Sequence, residues 1–146
     1  MPKSKTYLPD VNVWLAFAAE AHVHHQAAAR WFDGLSAGEA AFCRITQMGL
    51  LRLLTNRRVM LDAVLTQQQA WRVYLALHRD ERTIFLPEPD GLEERWRNTT
   101  KRTSPSQGLW TDCYLQAFAE CAGLRIVTFD RNFPNPPQSG ALTLTG

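Results

Sequence analysis

Residues 110–133, WTDCYLQAFAECAGLRIVTFDRNF, decide how this chain folds. Thr111 is of a type that caps helix N-termini, and Asp112 follows in the first turn, where free N–H groups and the helix dipole favour a carboxylate. Tyr114, Leu115, Phe118, Ala119 and Ala122 recur at helical spacing, and Gly123 stops the helix. Arg125 to Phe129 is a short apolar and β-branched run, the pattern of a buried strand, with Asp130 just beyond its carboxyl end. Open α/β sheets bind ligands at that edge.

The segment Thr6 to Phe17, TYLPDVNVWLAF, repeats the arrangement: a short strand, then Asp10 at the switch into an apolar helix. If the two strands are parallel neighbours, Asp10 and Asp130 leave one edge of one sheet, and the helix start carrying Asp112 approaches it. Three carboxylates in one cleft repel each other and raise one another's pKa until a cation neutralises them, and an all-oxygen site suits Mg2+ or Mn2+. Taken singly, each aspartate reads equally well as a helix cap or loop residue. It is the equivalence of the three placements that points to a site. Asn12 can orient a carboxylate or a water there, and Thr111 and Thr128 are placed to hydrogen-bond their neighbouring aspartates.

These motifs, together with RITQMGLLRLLTN at 44–56, resemble PIN-domain ribonucleases, in particular the VapC toxins of bacterial toxin–antitoxin pairs. The resemblance spans nearly the whole chain. It implies one PIN domain over residues 1–146, an α/β fold built as a three-layer α/β/α sandwich with a central, mainly parallel sheet. It also implies a Mg2+-dependent endoribonuclease, neutralised by a VapB-type antitoxin and forming a homodimer. Carried over by position, Asp10, Asp112 and Asp130 match three of the family's four acidic positions. The fourth, usually a glutamate, falls on Gln47, which keeps an acceptor oxygen and lacks the charge. That departure keeps open a non-catalytic PIN-fold RNA-binding module as the alternative.

Length and composition fit this frame. A chain of 146 residues suits a single core. With 45% hydrophobic and 21% charged residues, disordered and collagen-like classes are excluded. No apolar run is long enough to span a membrane, and the first ten residues lack a signal region, so a cytoplasmic protein is expected. Cys43, Cys113 and Cys121 are odd in number and form no C-x-x-C pair, in keeping with reduced thiols. Formal net charge is +2; setting aside the three aspartates leaves +5, a mildly basic body around an acidic cleft.

Elsewhere strand and helix patterns alternate without repeats. Helices are expected at Val13–Ala19, His24–Leu35, Gln47–Leu54 with Thr46 as its cap, Thr66–Leu77, and from Asp90 as cap to Arg97. Strands are expected at Glu39–Cys43, Thr83–Leu86 and around Leu142–Leu144. His22, His24 and His25 suggest zinc, but adjacent histidines face different sides of a helix and only His78 remains elsewhere, so packing and capping explain them better. Trp14, Phe17, Trp31, Phe32 and Trp71 are more large rings than one small core readily buries, which suits a groove for the antitoxin. The polar loop NTTKRTSPSQG at 98–108 delivers Lys101, Arg102 and Trp110 beside Asp112; with Arg52 these are candidate RNA contacts, cations for phosphate and a ring for an unpaired base. No phosphate-binding glycine loop and no G-x-S-x-G is present. Aspartyl phosphotransfer of the D-x-D-x-T/V type is excluded because Asn12 and Trp14 stand at its second and last positions.

Overall fold

Five short strands, β1 (Tyr7–Pro9), β2 (Ala40–Phe42), β3 (Thr83–Phe85), β4 (Arg125–Thr128) and β5 (Leu142–Thr143), pair in parallel in the spatial order β3-β2-β1-β4-β5. The computed structural model describes residues 5–131, 133 and 141–145; the Pro- and Gly-rich stretch 134–140 lies outside them. The chain lays β2 and β3 on one side of β1, then returns to place β4 on the other. The strand order therefore reverses between β1 and β4, and in open parallel sheets the crevice at such a switch point is where ligands bind.

The helices among the described residues are α1 (Val11–Ala18), α2 (His25–Asp33), α3 (Arg44–Leu54), α4 (Arg57–Met60), α5 (Gln67–Arg79), α6 (Leu92–Thr99) and α7 (Leu109–Ala122), with a 3-10 turn at Leu61–Ala63. Side chains alternate across a strand, and here the alternation sorts two cores. Ala41 and Leu8 pack with Tyr114, Leu115 and Phe118 of α7 on one face. Ala40 and Phe42 pack with Trp14, Phe32, Leu50 and Tyr74 of α1, α2, α3 and α5 on the other. The result is the expected three-layer α/β/α sandwich, its sheet parallel throughout.

Several helix starts differ from expectation. Asp10 caps α1 directly, so the helix opens at Val11. Cys43, not Thr46, is the N-cap of α3; Thr46 sits inside the first turn and its hydroxyl reaches back to accept the Cys43 N–H at 3.0 Å. Gly91, at φ 80°, precedes α6 in place of Asp90, because this left-handed turn is open to glycine and strained for other residues. Helix α7 opens at Leu109, two residues before the expected cap, so Thr111 lies within its first turn. Asn56 does not only end α3; its side chain caps α4, a helix the sequence pattern hides. The capping box of Thr66 and Gln69 at α5 and the Gly123 stop of α7, at φ 71°, are as expected.

Most of the surplus of rings is absorbed in the core. Trp14 stacks on Phe42 at 3.8 Å between centroids, Phe17 on Phe32 at 4.2 Å, and Trp31 meets Tyr7 edge-on at 5.6 Å. Of the five, only Trp71 stays exposed, with Met48 and Leu75 also open to solvent. The cysteines are free thiols. No helix among the described residues is long and apolar enough to cross a membrane.

Candidate active site at the carboxyl edge of the sheet

Parallel pairing sets Pro9 opposite Val127, which brings the ends of β1 and β4 together. Asp10 continues that ladder, its N–H donating to the Val127 carbonyl at 2.9 Å. Both Asp10 oxygens are engaged: one accepts the Val13 N–H of α1 at 3.1 Å, the other the Thr128 hydroxyl at 2.5 Å. Capping and site geometry are thus one arrangement. The Thr128 oxygen also accepts the Asp130 N–H at 3.0 Å, so one buried hydroxyl ties the side chain of Asp10 to the backbone of Asp130. Thr128 serves the more distant aspartate as well as its neighbour.

Asp112 reaches the same place from α7, in whose first turn it lies. Burial lifts the Asp10 carboxyl to about 6, opposed by hydrogen bonding from Thr128 and from the Val13 and Asn12 backbone and reinforced by the charge of Asp112. Asp112 is likewise raised, first by burial and then by Asp130. The three acids therefore form one chain of electrostatic influence, Asp130 acting on Asp112 and Asp112 on Asp10. Asp10, Asn12, Thr46, Arg52, Asn56 and Asp112 are among the residues lining a cavity of about 470 Å³. Asp130 is exposed and is not part of that lining, although its charge acts on Asp112. Among the described residues, no three His, Cys, Asp or Glu side chains are gathered closely enough to hold an ion on their own.

The remaining candidates divide. Asn12 and Arg52, both exposed, line the cavity as expected; Thr111 lines it too, without a hydrogen bond to Asp112. Gln47 is not brought to the cleft. It is buried, its Oε1 accepts from Arg44 at 2.5 Å, and its side chain lies close enough to the Tyr74 hydroxyl of α5 to influence its charge. From α3 the cavity is lined instead by Ile45, Thr46, Met48, Gly49, Arg52 and Leu53, with Asn56 following from the start of α4. Gly49 is where α3 presses on α1: a Cβ there would come within 2.9 Å of Val11 Cγ2. Thr46 was legible only as a cap; its common face with Gly49 and Leu53 follows from the spacing of i, i+3 and i+7 once the helix start is known. Arg102 and Trp110 share a second cavity of about 430 Å³ at the start of α7. Lys101 lines neither cavity; it borders a separate hollow with Glu93 and Glu94.

The PIN-domain family model matches residues 7–138. This chain belongs to the PIN-domain family. Within it, the relatives of this PIN domain are VapC proteins. Ribonuclease VapC41 of Mycobacterium tuberculosis is 47% identical over 131 residues, which are 86% of this chain and 90% of the relative. Ribonuclease VapC39 of the same organism is 35% identical over 139 residues, 92% of this chain and 96% of the relative. The crystal structure of Mycobacterium tuberculosis VapC20, described as a Sarcin-Ricin loop cleaving toxin, has the same fold at TM-score 0.62 and 17% identity, covering 88% of this chain and 92% of that one. A toxin-antitoxin complex from Klebsiella pneumoniae matches at TM-score 0.57 and 14% identity, over 88% and 89% of the two chains. At such identities these two structures speak to the fold.

Two expectations follow from the geometry. The folded pKa of Asp10, about 6, lies above the ordinary value of 3.8. The proton on Asp10 therefore stabilises the metal-free native state fully below the unfolded value, and that contribution is lost as pH rises through about 6. In EDTA at about pH 8, Asp10→Asn melts at or above wild type, and the difference shrinks toward about pH 5; a much lower melting temperature at the higher pH would contradict this. Gln47→Ala, by contrast, removes the hydrogen bond from Arg44 and costs about 1 kcal/mol of stability, with Mn2+ affinity unchanged in calorimetry. Altered affinity at full stability would return Gln47 to the site.

Proposed function

We propose that this PIN domain is a metal-dependent endoribonuclease that hydrolyses RNA phosphodiester bonds as the toxin of a toxin–antitoxin pair. The observation that carries the reading is the placement of Asp10, Asp112 and Asp130 at the β1/β4 switch point of a chain whose relatives are named ribonucleases. The donor set is all oxygen, two of its carboxyls are held above their usual range, and a divalent cation would relieve both. Asp10 and Asp112 would hold Mg2+ or Mn2+ with Asp130 beside them, and water would complete the coordination, in line with the reluctance of Mg2+ to shed its waters. Bound there, the ion supplies Lewis acidity toward the phosphoryl oxygens and neutralises charge as the P–O bond breaks.

The chain's own residues do the positioning. The Thr128 hydroxyl and the Val13 N–H fix both oxygens of Asp10, so its carboxylate does not swing when substrate enters. Asn12 presents an amide that can orient a water. Arg52 is the cation of the cleft and meets an RNA backbone phosphate there. One observation favours the non-catalytic alternative: α3 sends no carboxylate into the cleft, since Thr46, Gly49 and Arg52 face it.

For the antitoxin, support comes from the exposed thioether on α3 and the exposed ring and leucine on α5. Met48 is 47% exposed, Trp71 46% and Leu75 43%, and a dent of about 160 Å³ lies between Met48, Leu51, Ala70 and Trp71. That face suits the apolar side of a partner helix, and equally a second copy of the chain in the homodimer. A toxin-antitoxin complex of the same fold is consistent with the former.

Purified protein with Mn2+ and single-stranded RNA tests the reading. Wild type cleaves; Asp112→Asn and Asp130→Asn each lose roughly a hundredfold or more in rate while staying folded, at least the loss expected for a partner one shell further out. Binding of RNA without cleavage by wild type would establish the non-catalytic alternative.

A further inference from the structure

Trp110 is 57% exposed, yet its indole is braced. Trp96 stands edge-on to it, with centroids 6.0 Å apart at 75°, and the Trp96 indole N–H donates to the Trp110 carbonyl at 2.9 Å. Trp96 in turn stands edge-on to Tyr114 at 5.5 Å, and Tyr114 meets buried Phe118 at 6.2 Å. The exposed ring is thus the outer rung of a ladder anchored in the core. A rigid aromatic face in water loses little entropy when a flat group settles on it.

The cavity beside it has matching chemistry. Arg102 supplies a guanidinium, Thr100, Thr103, Ser104 and Ser106 supply hydroxyls, Trp110 supplies a π face, and no carboxylate is part of the lining. This is the donor set for a nucleotide: a base on the ring, a phosphate on the guanidinium, a ribose on the hydroxyls. A partner helix would need a continuous apolar stripe, whereas here Pro105, Leu109 and the ring are interspersed with hydroxyls and a guanidinium. Thr111 and Asp112, the next residues along α7, line the acidic cavity, so the two cavities flank the first turn of the same helix, about 3 Å of rise apart.

We propose that Trp110 is a stacking platform for an unpaired base of the substrate next to the cleaved phosphate, with Arg102 holding the flanking phosphate. The proposal rests on the ribonuclease reading for the cut itself and narrows the substrate to RNA single-stranded at that nucleotide. A paired base has both faces covered by its neighbours and cannot stack on the ring.

The test is binding in EDTA, where cleavage cannot intervene, of a short fluorescein-labelled single-stranded RNA of mixed sequence, followed by anisotropy. Trp110→Ala weakens binding roughly tenfold and Trp110→Phe restores most of it, the range of one stacked base. In a series of RNAs each carrying one abasic nucleotide, one position imposes the same loss on wild type and no further loss on Trp110→Ala. Arg102→Ala lowers the slope of log affinity against log salt by about 0.7. Equal affinity of wild type and Trp110→Ala overturns the platform, as does equal dependence on Trp110 for a duplex of the same sequence. Mn2+-dependent cleavage by the same wild-type preparation is scored separately. Its absence with Trp110-dependent binding removes the ribonuclease reading and leaves the platform; its presence with Trp110-independent binding does the reverse.

Discussion

One hydroxyl holds this site together. Thr128 donates to the side chain of Asp10 and accepts the backbone N–H of Asp130, across 118 residues of sequence in the first case and two in the second. The bond is available only because β1 and β4 pair in parallel and in register, with Pro9 opposite Val127. A slip of one residue would turn every side chain of β4 to the opposite face, carrying Thr128 away from Asp10. Fold and site therefore depend on the same strand pairing, and the two cores on either side of the sheet are what fix it.

That pairing also explains the electrostatics. Asp10 is buried because it caps α1 at the sheet edge, and burial alone moves its carboxyl toward neutrality. Asp112 arrives by a separate route, on the first turn of α7, and Asp130 raises it further. The metal-free protein thus carries repulsion that serves no structural purpose. Destabilised charge of this kind concentrates at functional sites.

The aspartates stood out in the sequence because Asp10 and Asp130 each follow an apolar run of strand length and Asp112 lies at the start of a helical stripe. The α/β/α layering was legible for the same reason. Less legible was anything that depended on where a helix begins. The start of α7 is set three residues earlier than Thr111 as cap suggests, where the hydrogen bond from Trp96 grips Trp110. Helix α3 is apolar nearly all round, through Met48, Leu50, Leu51, Leu53 and Leu54, so its pattern does not say which side meets the cleft. That ambiguity put Gln47 at the site, whereas packing turns it toward Arg44 and Tyr74. The bond from Thr128 to Asp10 was out of reach, since a tertiary contact over such a separation leaves no local spacing to read.

The central claim is that Asp10, Asp112 and Asp130 form one divalent-cation site. It is tested most directly by soaking crystals of the protein in Mn2+ and locating the ion by its anomalous signal. The account predicts a peak in the cleft between Asp10 and Asp112, ligated by their carboxylates or through water, and lost in Asp112→Asn. Mn2+ absent from the cleft, or seated on other side chains such as the histidines of 22–25, would contradict it.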